Sequence, residues 1–203
     1  MLKKIFSLVI ATLLCQSALA EDAKQLLRDK LANIETFQAS FSQAITDQLG
    51  NNVHNASGKL ITKRPQQLYW HTQLPDEVLL VADGDAVWQV DYFVEQITVV
   101  DQSTAVKDNP MMLLASGDDT DWNNVSVTLI DDFFVIVPNL TSAITELSLS
   151  FSDNKLVQLT SVDTQGQRSI LTFNEIQINL PVASTQFEVA NADGFVLDDQ
   201  RNQ

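Results

Sequence analysis

From residue 36 onward, apolar and polar side chains alternate. Phe37, Ala39, Phe41 and Ile45 fall on one parity, with Gln38, Ser40, Ser42 and Thr46 between them. A period of two is the pattern of a strand with one buried and one wet face. Just before it the period is longer. Ala23, Leu26, Leu27, Leu31 and Ile34 recur at three- and four-residue intervals, predicting an amphipathic helix over 22–35 with Asp22 as its cap. After the first strand, further strand-like runs are predicted at 58–63, 67–73, 77–82, 86–91, 95–100, 124–130, 133–137, 144–151, 156–163, 168–179 and 186–189.

Short turn clusters separate these runs: Gly50-Asn51-Asn52, Asp83-Gly84-Asp85, Asp131-Asp132, Ser152-Asp153-Asn154 and Gln165-Gly166. Connections this short cannot hold a helical crossover, so the expected sheet is antiparallel, long and curved. One segment breaks the pattern. Asp108 or Asn109 suits a helix cap, Pro110 a first helical position and Gly117 an end, with Met111, Met112, Leu113 and Leu114 between them. A two-turn helix that is apolar all round must lie against something greasy. The expected fold class is mainly β (α+β), with two short helical pieces against a curved sheet. The concave face of such a sheet must be filled, by helices or by a ligand.

The chain has 203 residues, of which 45% are hydrophobic, enough to close one sizeable core. Its formal charge of −14 disfavours nucleic acid, whose phosphates need a basic surface. The start reads as an export signal: Lys3 and Lys4, an apolar run over 5–15, then Ala18-Leu19-Ala20 with small residues at the −3 and −1 positions of a cut after Ala20. That cut divides the chain into a signal over 1–20 and one domain over 21–203. It removes two lysines, taking the charge from −14 to −16. The apolar run is too short to span a bilayer, so no stable membrane insertion is expected. Cys15, the one cysteine, leaves with the signal. Leu14 before it is too large for a lipid-modification site. A Cys-free exported chain fits an oxidising compartment, and the pattern of the signal points to a bacterial periplasm.

Catalytic chemistry is hard to assemble from what remains. There is no Gly-x-Ser-x-Gly elbow, phosphate loop or dinucleotide fingerprint. Only His54 and His71 are available beside the absent thiols, too few for a zinc site, and His71 reads as a strand residue on the wet face. Asp119-Thr120-Asp121-Trp122-Asn123 begins like a calcium loop, but Asn124 stands where the loop needs Gly and Ile130 where it needs Glu. No catalytic residue, metal or cofactor is assigned. The physical reading is an apolar carrier. Two readings compete: a periplasmic carrier of another lipid or glycolipid, and a structural or adhesive β-domain whose own side chains fill the concave face.

An ordered series of motifs makes the reading specific. It comprises Thr36-Phe37-Gln38-Ala39-Ser40-Phe41-Ser42-Gln43, Gly58-Lys59-Leu60, Lys63-Arg64-Pro65 and Tyr69-Trp70-His71. Gln73-Leu74-Pro75-Asp76-Glu77, Asp83-Gly84, Val87-Trp88 and Val94-Glu95-Gln96 follow. Asn109-Pro110-Met111-Met112-Leu113-Leu114-Ala115 and Asp198-Asp199-Gln200-Arg201 complete it. Together these resemble the outer-membrane lipoprotein carrier protein (LolA) family over essentially the whole exported chain.

The resemblance implies an incomplete antiparallel β-barrel closed by short helices over a hydrophobic cavity, and no covalent chemistry. It implies a periplasmic, monomeric chaperone with three partners. Acylated lipoproteins are its cargo, an inner-membrane ABC-type release complex supplies them, and an outer-membrane lipoprotein receptor takes them. Exposing acyl chains costs roughly 0.8 kcal/mol per methylene, so crossing water requires an apolar lining. The lining candidates are Phe41, Leu68, Trp70, Leu80, Val99, Met111, Met112, Leu113 and Leu114. Met suits a wall that accepts differing chain shapes. An unbroken strand would give Arg64 the parity of Leu68 and Trp70 and turn it inward, though Pro65 interrupts that register. A guanidinium there needs acceptors, and free carbonyls at the end of the lid helix, around Leu114 and Ala115, are suitable. The family's Lys-Arg-Pro arginine is expected to bond the lid backbone in the empty state, making Arg64 a latch. Without the family, the alternative is a surface arginine paired with a carboxylate.

Overall fold

The computed structural model describes residues 23–103, 119–189 and 193–201. Helix α1 covers 23–32. Twelve strands follow: β1 Thr36–Thr46, β2 Asn52–Lys63, β3 Gln67–Leu74, β4 Val78–Ala82, β5 Ala86–Asp91, β6 Gln96–Asp101, β7 Val125–Ile130, β8 Phe133–Pro138, β9 Ile144–Ser152, β10 Lys155–Asp163, β11 Arg168–Ile178 and β12 Val196–Asp199. They form one sheet in the order β12-β6-β5-β4-β3-β2-β1-β11-β10-β9-β8-β7. The two ends of that order, β12 and β7, are not paired to each other, so the barrel is incomplete. Among the described residues, no helix is long and apolar enough to cross a membrane.

Turn chemistry explains the hairpins. Asp131 and Asp132 join β7 to β8 with φ of 47° and 67°, and Asp153 and Asn154 join β9 to β10 with φ of 49° and 60°. Two successive positive φ values are what a two-residue turn needs to match strand twist, and Asp and Asn tolerate them best. The central pair, β1 and β11, carries a bulge: the register shifts between Gln38 and Ser40, opposite Glu175 at φ 53°. Bulges bend a strand and increase local twist, and this one lies where the two halves of the sheet meet.

Register assigns each side chain to a face. On β1, Phe37, Ala39 and Phe41 stand opposite Thr62, Leu60 and Gly58 of β2. Leu60 and Thr62 stand opposite Trp70 and Leu68 of β3, which stand opposite Leu80 and Ala82 of β4. These residues share the inner face. The same face continues on the other half through Phe173, Leu171, Leu159, Leu149 and Phe134. Helix α1 closes over that half. Its Ala23, Leu27 and Leu31 are buried in one cluster with Leu147, Leu149, Phe134 and Leu159. Lys30 reaches across to donate to Asn154 Oδ1 at 3.1 Å and lies 5.5 Å from the centre of the Phe151 ring.

Four expectations need correction. Leu26, placed on the buried stripe of the helix, is 45% exposed, because the stripe that packs is the narrower Ala23-Leu27-Leu31 row. The run at 186–189 is not a strand. Ser184–Phe187 is a turn of 3-10 helix that buries Phe187, and Val189 beyond it packs with the Val99 cluster without joining the sheet. Beyond it lies an unexpected strand, β12. It pairs with β6 in parallel, so the sheet is not wholly antiparallel. The chain leaves β11 at the middle of the sheet and crosses to the far edge, a connection long enough to arrive in either direction.

Val99 is the fourth. It is fully buried, but on the outer face, packed with Ala86, Val90 and Ile97 under Val189 and Phe195. Its cross-strand neighbour is Trp88, whereas inner-face Val87 stands opposite Val100. The error is one residue of register, which exchanges the faces. The predicted helix over 109–117 lies outside the described residues.

The closing strand is fastened at its end. Arg201 donates to both carboxylate oxygens of Asp199, Nε at 2.9 Å and Nη2 at 2.5 Å, and lies 5.6 Å from the Trp88 ring. The Arg201 bonds hold the Asp199 carboxyl down at about 2. The unfolded value is about 3.9, so this clasp contributes fully above that pH and is lost as pH falls through about 2. The Asp199 carboxyl-carbon NMR shift should therefore titrate at about 2, and in Arg201→Gln that shift should move up toward about 3.9. An unchanged shift in the variant refutes the assignment.

Candidate functional site

The inner face divides into two parts. Under α1 it is sealed. Over β3–β5 it is less so: Trp70, Leu80 and Val87 pack against the core but remain half-buried. Phe41 and Leu68 are buried beside them. Of the lining candidates, the structure thus brings Phe41, Leu68, Trp70 and Leu80 together on one wall, and removes Val99 from it. Met111, Met112, Leu113 and Leu114 lie outside the described residues.

Phe41 and Trp70 form the centre of this wall. Their rings are 5.0 Å apart, tilted at 50°. Trp70 Nε1 donates to Thr72 Oγ1 at 3.2 Å, which satisfies the indole without a water. Gly58 makes the approach possible. A Cβ on Gly58 would stand 1.9 Å from the His71 carbonyl oxygen and 2.9 Å from Phe41 Cζ. The ring of Phe41 occupies the place a side chain on β2 would take.

Arg64 sits at the end of β2, in the turn before β3. Its amide donates to the Glu35 carbonyl at 2.9 Å, tying the turn to the link between α1 and β1. The Arg64-Pro65 bond is cis, and the β2–β3 pairing runs to the Lys63–Gln67 pair on either side of it. Side-chain parity continues from Leu60 and Thr62 on the inner face. Arg64 Nε is buried and makes no hydrogen bond among the described residues. Burial pulls the guanidinium below its usual range, yet an arginine keeps its charge. An unpaired buried donor on a charged group is costly, and is therefore a feature to explain. Leu114 and Ala115, the expected acceptors, lie outside the described residues.

Gln102 is a residue the sequence reading missed. It is 2% exposed and fully engaged. Its Nε2 donates to the Gln66 carbonyl at 2.7 Å, its Oε1 accepts from the Gly84 amide at 3.0 Å, and its own amide donates to the Asp85 carbonyl at 3.1 Å. It therefore fastens the Arg64 turn to the turn between β4 and β5. A polar residue after a strand gives no signal of this, because both partners are backbone groups brought in from other turns.

Asp83 organises the second of those turns. Its carboxylate accepts from the Asp85 and Ala86 amides and from Trp88 Nε1, each at 2.8 Å. Burial raises its pKa, but these donors outweigh burial and leave it lowered. Asp83→Ala should destabilise the protein by about 1–3 kcal/mol, since Trp88 loses its acceptor. Denaturant titration would measure it, and a change below about 0.5 kcal/mol would contradict the arrangement. His71, on the outer face, pairs with Glu77 Oε1 at 2.8 Å and contacts Tyr69 Oη at 3.3 Å. Among the described residues no group of three or more His, Cys, Asp or Glu is placed to hold a metal.

The fold and this wall define a mainly-β, incomplete-barrel protein built around an apolar inner face. Comparison with known proteins narrows the class. The sequence profile of the family described as outer membrane lipoprotein carrier protein LolA matches residues 32–190. The outer-membrane lipoprotein carrier protein of Pseudoalteromonas translucida is 34% identical over 199 residues, covering 96% of this chain and 95% of that one. The protein of the same name from Shewanella amazonensis is 32% identical, covering 100% of both chains. Among solved structures, an uncharacterized conserved protein from Thermus thermophilus shares the fold at a TM-score of 0.53 and 11% identity, over 87% of this chain and 98% of that one. The chain belongs to the LolA family.

Proposed function

We propose that this protein is a periplasmic chaperone for triacylated lipoproteins. It accepts them from an ABC-type release complex of the inner membrane, shields their acyl chains against its inner face, and passes them to an outer-membrane receptor. It does this as a monomer, after a signal peptide is cut following Ala20. Phe41, Leu68, Trp70 and Leu80 form the fixed wall for the chains. Met111, Met112, Leu113 and Leu114 are the lid residues of the same lining. Arg64 is the latch, bonding to the carbonyls of Leu114 and Ala115 when the carrier is empty.

The observation that carries the reading is the half-buried apolar wall over β3–β5, in a chain whose family and near full-length relatives are lipoprotein carriers. A carrier with no nucleotide site must hold cargo only moderately, so that transfer runs toward the tighter-binding receptor. The buried, unpaired Nε of Arg64 suits that need. A charge facing the same space as the acyl chains penalises loading, and keeps affinity in a range from which cargo can leave.

Mass spectrometry of what the exported protein retains, after incubation with spheroplasts secreting a lipoprotein, tests the reading. Triacylated polypeptide is expected. Recovery of free lipid or glycolipid alone would replace the cargo assignment. Failure to bind either cargo or an apolar dye would mean that the inner face is filled by the protein's own side chains.

A further inference from the structure

The outer face of β8–β11 is hollowed. Val135 of β8 stands opposite Ser148 of β9, which stands opposite Thr160 of β10 and then Ile170 of β11. These positions alternate with Phe134, Leu149, Leu159 and Leu171, so they point away from α1. Two short polar side chains thus lie between larger apolar ones. The hollow they leave is about 350 Å³, with Ile130, Phe133, Val135 and Ile170 as apolar walls. Ser148, Gln158 and Thr160 line it as well, and so do Asp131 and Arg168. Ser148 and Thr160 form its floor, at 8% and 5% exposure, although neither buried cluster of the core contains them.

The polar groups of the hollow are not used up. Gln158 Nε2 donates to Thr160 Oγ1 at 3.3 Å, which leaves the Thr160 hydroxyl proton and Gln158 Oε1 available. Ser148 Oγ donates to Glu146 Oε1, at a long 3.4 Å. Asp131 lies in the β7–β8 turn and Arg168 at the start of β11, on opposite sides of the hollow. Neither side chain forms an ion pair or a hydrogen bond among the described residues. Arg168 is thus an uncommitted cation in a chain with 26 acidic and 12 basic side chains.

These features narrow the occupant. An alkyl chain would strip water from the hydroxyls and amide of the floor and return no hydrogen bond. A simple anion would meet Asp131 and Glu146 as well as Arg168, inside the field of a chain of charge −14. A net-neutral molecule with a carboxylate at one end, an ammonium at the other and amides among apolar groups meets every part. That describes a short apolar peptide with free termini. From β8 to β11 is three strand spacings of about 4.8 Å, so the two charges are separated by roughly 15 Å, which about four extended residues bridge.

We propose that this outer-face hollow binds a short apolar peptide by both ends, its carboxylate at Arg168 and its ammonium at Asp131, with its amides on the Ser148–Thr160 floor. The site is independent of the carrier reading, since it and the acyl-binding wall lie on opposite faces of the sheet. The test titrates the free-ended tetrapeptide Ala-Leu-Leu-Ala into the exported protein. The backbone NMR signals of Ser148, Thr160 and Ile170 report on the hollow, and the Trp70 indole signal reports on the inner face.

Saturable shifts are expected at the first three and none at Trp70. Arg168→Gln and Asp131→Asn should each raise Kd about threefold or more, the size of an exposed ion pair. Asn tolerates the φ of 47° at Asp131, so that variant keeps the turn. Acetylating and amidating the peptide removes both charges and should weaken binding about tenfold. Silence at the three signals overturns the proposal, as do shifts centred on Trp70. Binding that ignores both charge variants overturns it too. So does a blocked peptide bound as tightly as the free one, or octanoate bound more tightly than either.

Discussion

Arg64→Leu is expected to load lipoprotein at least as well as the wild type and to deliver it to the receptor at least about tenfold more slowly. The wild-type guanidinium is half-buried, with Nε unpaired. Its neighbours along the inner-face parity are Leu60 and Thr62, and across the sheet Leu68. Cargo in that space leaves a charged group without water. Leucine removes the penalty, so bound cargo is held more tightly, and each tenfold in affinity is about 1.4 kcal/mol. An isolated charge in apolar surroundings costs several kcal/mol, so the expected effect lies within what this one side chain can supply. Arg64→Lys is the informative companion. It keeps the charge but loses the planar fork, and should fall between the two. Single-turnover transfer to the receptor would measure all three. Wild-type transfer rates in Arg64→Leu would remove the latch from the proposed function.

Gly58→Ala should be the most damaging small substitution in the sheet. A methyl 1.9 Å from the His71 carbonyl oxygen cannot be relieved by a side-chain rotation, because the obstacle is backbone. Strands β2 and β3 would have to part, at the place where their register already shifts between Ser57 and Gly58. Overpacking alone costs about 1–3 kcal/mol, and the broken pairing adds to it, so roughly 3 kcal/mol or more is expected. For a chain of this size that lowers Tm by about 6–12 °C. The Phe41–Trp70 contact would open as well, so dye binding to the inner face should weaken together with stability. A Tm within about 2 °C of the wild type would show that β2 accommodates the methyl, and that Gly58 is not what seats Phe41.

The predictions differ in how much of each the residue pattern foretold. Arg64 stood out from its motif and its parity with Trp70, and Phe41 from its place in the alternation of β1. Gly58 was visible only as part of a motif. Its reason for being glycine is the position of His71, 13 residues on and across a hairpin. Gln102 and Asp83 gave still less away, since what they fasten is backbone from turns far along the chain.

The positions of β1 to β11, the hairpin turns and the amphipathic helix were determined locally. Side-chain alternation, positive-φ residues such as Asp153-Asn154 and the 3.6-residue period act within a few residues, and one sequence carries them openly. The face Val99 points to, the parallel arrival of β12 and the seating of the Phe41 ring over Gly58 were decided only in three dimensions. The physical reason is common to all three. Each depends on register or on a crossing between strands distant in sequence, and a shift of one residue reverses which side of the sheet a side chain occupies.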